Sequence, residues 1–108
     1  MSFETLCHID DIEDGHVKEF ALGTSHAFFV VRQGSAFYGY INRCPHLSWP
    51  LNMSPNGFLD ADKRYIQCAN HMALFDIKSG ECLAGPCVRQ FLTPVNLHLA
   101  NDYLWVEK

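Results

Sequence analysis

The chain has 108 residues, 48% of them hydrophobic, which is the size of one small domain with a modest core. Eight basic residues against twelve acidic ones give a net charge of −4 with no basic run, so a nucleic-acid footprint is excluded. No apolar stretch approaches the roughly 20 residues of a spanning helix, and Met1–Asp11 lacks a cationic segment followed by an apolar run, so a cytoplasmic protein with no membrane contact is expected. The mild acidity fits docking onto a basic partner, but it is common among cytosolic domains.

In chain order, short β-rich runs dominate. Phe3–Cys7, Val17–Leu22, Ala27–Arg32 and Ala36–Asn42 read as strands, with Ile9–Gly15 able to form one helical turn and Asp10–Asp14 a solvated acidic turn. Arg64–Cys68, Ala73–Asp76, Val95–Leu99 and Tyr103–Glu107 read as strands too. Turn signals fall at Gln33-Gly34-Ser35, Asp60–Lys63, Ser79-Gly80 and Asn101-Asp102. Strands spaced about ten residues apart predict an all-β barrel or sandwich. Two segments break the rhythm: Arg43–Asp60, rich in Pro, Asn and Ser, and Ala69–Ala73.

Each break sits with one Cys and one His. Cys44-Pro45-His46 sets a thiolate and an imidazole two residues apart, and Cys68-Ala69-Asn70-His71 sets a second pair three apart. Residues 47–67 separate the pairs, enough to place them on two loops joined through a hairpin. The chain has five cysteines at uneven spacing, which argues against a disulfide framework; in a reducing compartment metal ligation is the better use of the thiols. Two Cys and two His also suit a structural zinc ion. Typical zinc sites pair Cys with Cys and His with His, whereas this chain interleaves them.

The ligand pattern Cys-x-His and Cys-x-x-His resembles the Rieske family. So do Asn42-Arg43 before the first pair, Pro50-Leu51 after it, Phe75-Asp76 with Ser79-Gly80-Glu81, and Gly85-Pro86. The resemblance covers nearly the whole chain. It implies an all-β fold of small antiparallel sheets with the cluster-binding loops as a small subdomain at one end. The whole chain, 1–108, would be one domain, with the cluster-binding part at about 43–87. It implies one [2Fe–2S] cluster per chain, with Cys44 and Cys68 on an inner iron and His46 and His71 on an outer, surface-reaching iron. Gly85-Pro86 would form a third, shielding loop. Two imidazoles in place of two thiolates leave the oxidised centre neutral rather than doubly negative, which eases reduction and raises the potential.

Departures from the family pattern are Met72, where Gly is common, Ser48 and Trp49, where small residues are usual, and a longer inter-pair spacing that places an insertion near Asn52–Asp62. High-potential members carry an extra Cys in each ligand loop, forming a disulfide; the matching positions here are Trp49 and Asn70. They also carry Ser and Tyr hydroxyls that donate to cluster sulfurs, where this chain has Ala73 and Phe75. A midpoint near the low end of the Rieske range, about −150 mV, follows. Leu47, Trp49, Pro50 and Met72 flank the histidines, either as an exposed apolar collar or folded inward over the cluster.

The function this implies is one-electron transfer by a ferredoxin, from a reductase to an oxygenase, with no catalytic residues of its own and a monomer favoured. An accessory subunit of a larger oxidoreductase, similar to the small subunit of nitrite reductases, and a zinc-stabilised interaction module are the alternatives. Cys7, Cys82 and Cys87 are expected to be buried thiols. His8, His16, His26 and His98 lack partners at ligand spacing.

Overall fold

The computed structural model describes residues 3–21, 27–43, 45, 51, 59–60, 64–68, 73–85 and 88–107. Nine strands are seen among them: β1 Phe3–His8, β2 Val17–Phe20, β3 Phe28–Gln33, β4 Ala36–Ile41, β5 Tyr65–Gln67, β6 Leu74–Asp76, β7 Cys82–Ala84, β8 Leu97–Ala100 and β9 Tyr103–Glu107. They form three antiparallel three-stranded sheets, in the orders β1-β9-β8, β2-β3-β4 and β5-β6-β7. The fold is all-β with small antiparallel sheets. Among the described residues, strands of three to six residues pair in threes, so the expected all-β fold is built of small stacked sheets.

The β2-β3-β4 sheet is the middle layer, and β3 shows why. Its run Phe28-Phe29-Val30-Val31 is buried on both faces, at 0–3% exposure. Phe29 and Val31 join Val17 and Tyr40 in a core shared with Leu51, Ile66, Cys68, Ala73, Phe75, Ile77, Cys82 and Leu92. Phe28 and Val30 face the other way, into a core with Cys7, Ile12, Leu104 and Val106. Alternating side chains on one strand therefore tie the terminal sheet to one side and the β5–β7 sheet to the other.

The turns follow local chemistry. Asn101 and Asp102, at φ 55° and 66°, make the two-residue turn between β8 and β9, the mirror-image geometry that matches strand twist. Gly34, at φ 63°, turns β3 into β4. Ile9–Gly15 yields only a three-residue 3-10 turn, Ile9–Asp11, because Ile12 drops into the core. Its start is closed reciprocally: His8 Nδ1 accepts from the Asp10 amide, and the Asp11 carboxylate accepts from the His8 amide.

Several strand bounds are corrected. β2 ends at Phe20, and Leu22 lies outside the described residues. β8 begins at Leu97 rather than Val95: Thr93 and Val95 instead bond to the edge of β4, through Ile41 N to Thr93 O and Val95 N to Gly39 O, before the chain crosses to the terminal sheet. Pro94, lacking an N–H, cannot extend a two-sided ladder there. β7 was not expected, since Cys82-Leu83-Ala84 holds no β-branched residue and is too short to show an alternation.

Candidate metal centre

Sequence reading points to Cys44, His46, Cys68 and His71. Cys68 lies among the described residues; Cys44, His46 and His71 lie outside them, as do Leu47, Trp49, Pro50, Asn70, Met72, Pro86 and Cys87. What is described is the set of residues flanking the segments that carry them.

The second ligand pair is framed by a hairpin. β5 and β6 pair with Ile66 opposite Phe75 and Gln67 opposite Leu74. The ladder goes one step further, with Cys68 N donating to Ala73 O at 2.8 Å. Cys68 and Ala73, the described residues on either side of the segment holding His71, are thus bonded to each other. Cys68 and Ala73 are both at 0% exposure, so the Cys68 thiol points into the core rather than to solvent.

The first pair is framed by an amide. Asn42, at the end of β4, accepts the Leu51 N–H on its side-chain oxygen at 2.7 Å and donates from its side-chain nitrogen to Glu19 at 3.1 Å. The Asn42 backbone N–H is bonded to Ala27 O at 2.9 Å. Leu51 is fully buried in the same core as Cys68. Asn42 and Leu51, the described residues on either side of Cys44 and His46, are therefore bonded to each other. Asn42 counts as a functional residue that its place in the motif context did not reveal; a polar residue ending a strand before an irregular loop was the available signal.

The third loop comes close by a contact only glycine allows. Gly85 has φ 101°, and a Cβ there would lie 2.9 Å from both Cα and Cβ of Ala73. The loop after β7 is thereby pressed against the base of the second ligand loop. Beneath it the Cys82 thiol, 1% exposed, donates to Ala84 O at 3.3 Å.

The donor chemistry of this frame fits a metal cluster. Cys68 is buried among Leu51, Ile66, Ala73 and Phe75, where it would bind as a thiolate only with a positive partner such as an iron ion beside it. The remaining candidates are structural. Burial, and then Asp11, push the Cys7 thiol above its usual range, with Lys18 acting against them, so it is held protonated and unreactive. His8 stacks edge-on against Tyr103, His16 Nδ1 lies 3.1 Å from Asp14 O, and His98 packs on Phe3. His26 lies outside the described residues. Among the described residues no three His, Cys, Asp or Glu side chains converge on a metal site.

Comparison with known proteins agrees with this frame. A family model described as the Rieske [2Fe-2S] domain matches residues 2–101. The ferredoxin component of the p-cumate 2,3-dioxygenase system of Pseudomonas putida is 29% identical over 82 residues, 76% of this chain and 66% of that protein. Apoptosis-inducing factor 3 of Mus musculus is 32% identical over 77 residues, 71% of this chain but only 12% of that protein. The match thus spans just under two thirds of the first relative and a small part of the second. In fold, the chain resembles the ferredoxin of carbazole 1,9a-dioxygenase from Nocardioides aromaticivorans IC177, with a TM-score of 0.78 at 24% identity, covering 98% of this chain and 97% of the other.

Proposed function

Because this chain belongs to the Rieske [2Fe-2S] family, we propose that it is a one-electron carrier, the ferredoxin component of a system in which a reductase supplies electrons and an oxygenase consumes them. Its cofactor is a [2Fe–2S] cluster. When bound, the cluster supplies reversible one-electron chemistry at a potential raised by imidazole ligation.

Cys44, His46, Cys68 and His71 would hold it, the cysteines as thiolates and the histidines through imidazole nitrogen. The observation that carries this reading is the buried Cys68 bonded to Ala73, with Gly85 pressed on Ala73 beside it. That pairing holds one thiol inside the core, which is what anchoring a cluster within the fold would need. The Asn42–Leu51 bond fixes the described residues on either side of Cys44 and His46. The ferredoxin component of the p-cumate dioxygenase system supports the choice of an oxygenase as acceptor.

The rest of the chain acts as scaffold, so residues 1–108 are read as one domain with its cluster-binding part at about 43–87. Among the described residues no helix is long and apolar enough to cross a membrane. A cytoplasmic monomer that binds no nucleic acid is the matching expectation.

Metal and sulfide analysis tests the ligand assignment. Purified protein is expected to contain iron and acid-labile sulfide, two of each per chain, and to be red-brown. Cys44→Ala and Cys68→Ala are each expected to lose both together while Cys7→Ala keeps them. A colourless protein with one zinc ion and no sulfide, or full iron in Cys68→Ala, would refute the assignment.

A further inference from the structure

The side chain of Asn42 is held by a charged residue on a strand that β4 does not pair with. β3 lies between β2 and β4, which sets those two strands about 10 Å apart. Along β2, Lys18 and Phe20 face one way, the Lys18 ammonium 5.7 Å from the centre of the Phe20 ring. Phe20 packs on the core shared with the terminal sheet. Val17 and Glu19 alternate with them and face the other way. Val17 belongs to the core that holds Leu51 and Cys68. Glu19 is therefore on the Cys68 side of the middle sheet. There its carboxylate meets Asn42 across β3, accepting from Asn42 Nδ2 at 3.1 Å.

The carboxamide of Asn42 has nearly the same shape either way round, so its partners decide which end faces which. Leu51 offers an N–H and needs the oxygen, which it reaches at 2.7 Å. The bond from the Asn42 backbone N–H to Ala27 O fixes the end of β4 but not the orientation of the amide. A carboxylate has no proton to give, so it can meet only the nitrogen end. With Glu19 in place, a turned-over amide would set its nitrogen against the Leu51 N–H and its oxygen against a carboxylate. Both bonds would be lost together. Both are partly buried, where an unmatched donor is costly.

We infer that Glu19 is a positioning residue for the proposed cluster: its carboxylate selects the Asn42 orientation that binds Leu51, and so fixes the two residues that bracket Cys44 and His46. This rests on the electron-carrier reading. Glu19 acts through Asn42 and supplies no ligand.

The test follows two rates in the iron-loaded protein: hydrogen exchange at the Leu51 amide, and bleaching of the visible cluster absorbance by a chelator. Glu19→Ala is expected to speed both about tenfold, the factor that about 1.4 kcal/mol gives, which is the size of one hydrogen bond. Amides of β3 and β9 are expected to exchange as before. Glu19→Gln keeps an oxygen that accepts the same N–H, and is expected to stay within about twofold of the unaltered protein. Lys18→Ala, which trims the neighbouring side chain on the opposite face, changes neither rate.

Asn42→Asp sets two carboxylates against each other and is expected to be as labile as Glu19→Ala. Adding Glu19→Gln to it exchanges donor for acceptor and is expected to restore both rates, a rescue that a purely structural role for either side chain would not give. Unchanged exchange at Leu51 in Glu19→Ala, or a double variant no better than Asn42→Asp alone, would overturn the inference. So would equal acceleration of every amide, which marks a general loss of stability. If the protein binds no cluster, the electron-carrier reading fails and the chelator arm reads nothing, while exchange at Leu51 still decides whether Glu19 orients Asn42.

Discussion

Ala73 and Phe75 stand where high-potential members of the family carry hydroxyls, and both are fully buried. Neither offers a donor to a cluster sulfur, whatever else it packs against, and such donors are a main lever on potential. The midpoint is therefore expected at about −150 mV by redox titration, and a value above about +100 mV would refute the tuning account. Ala73→Ser restores one hydroxyl. At the strength of a hydrogen bond to a charged acceptor, about 1.5 kcal/mol, it is expected to raise the midpoint by about 60 mV. These positions were legible as sequence because they lie at fixed offsets from His71. Their burial was not, because an Ala and a Phe after a loop read equally well as lining or as core.

At the scale of elements, three closures stand beside the segments carrying the proposed ligands: the β5–β6 ladder ending at Cys68 and Ala73, the Asn42–Leu51 bond, and the seat of Gly85 on Ala73. The last is the most brittle. A methyl group at residue 85 would meet Ala73 at 2.9 Å, and φ 101° is closed to side chains. Gly85→Ala is expected to cost about 3 kcal/mol in urea unfolding and to speed loss of the visible cluster absorbance to a chelator. Gly34→Ala, in a turn where nothing lies within 4 Å, is expected to show the smaller stability cost and normal cluster retention. The Gly-Pro dipeptide was readable as part of the family pattern. The contact that makes the glycine necessary was not, since it joins residues twelve apart across β6 and β7. β7 itself escaped notice for a related reason: its pairing with β6 is fixed by neighbours, not by its own three residues.

Over the whole molecule, the middle sheet joins two cores, and Tyr40 fastens it to the ligand hairpins. Its hydroxyl donates to Ile77 O at 2.6 Å, and its ring packs under Gly80. Burial, followed by the charges of Asp76 and Tyr38, pushes the phenol from 10.0 up to about 12. The folded state holds that proton more tightly than the unfolded chain. The stabilisation is therefore complete below pH 10.0 and lost as pH rises toward about 12. Urea unfolding is expected to show this alkaline decline, and Tyr40→Phe to abolish it while costing about 1–2 kcal/mol at neutral pH. Most strands were legible in the sequence through alternation, and the proposed ligand pairs through Cys–His spacing. The division into three sheets was not, because strands so short carry no signal of which neighbour they choose. The most direct test of the central claim is electron paramagnetic resonance on the protein as purified with iron and reduced by dithionite. A rhombic spectrum of an iron pair with mixed imidazole and thiolate ligands is the expected result. A silent sample, or the spectrum of an all-thiolate cluster, would contradict it.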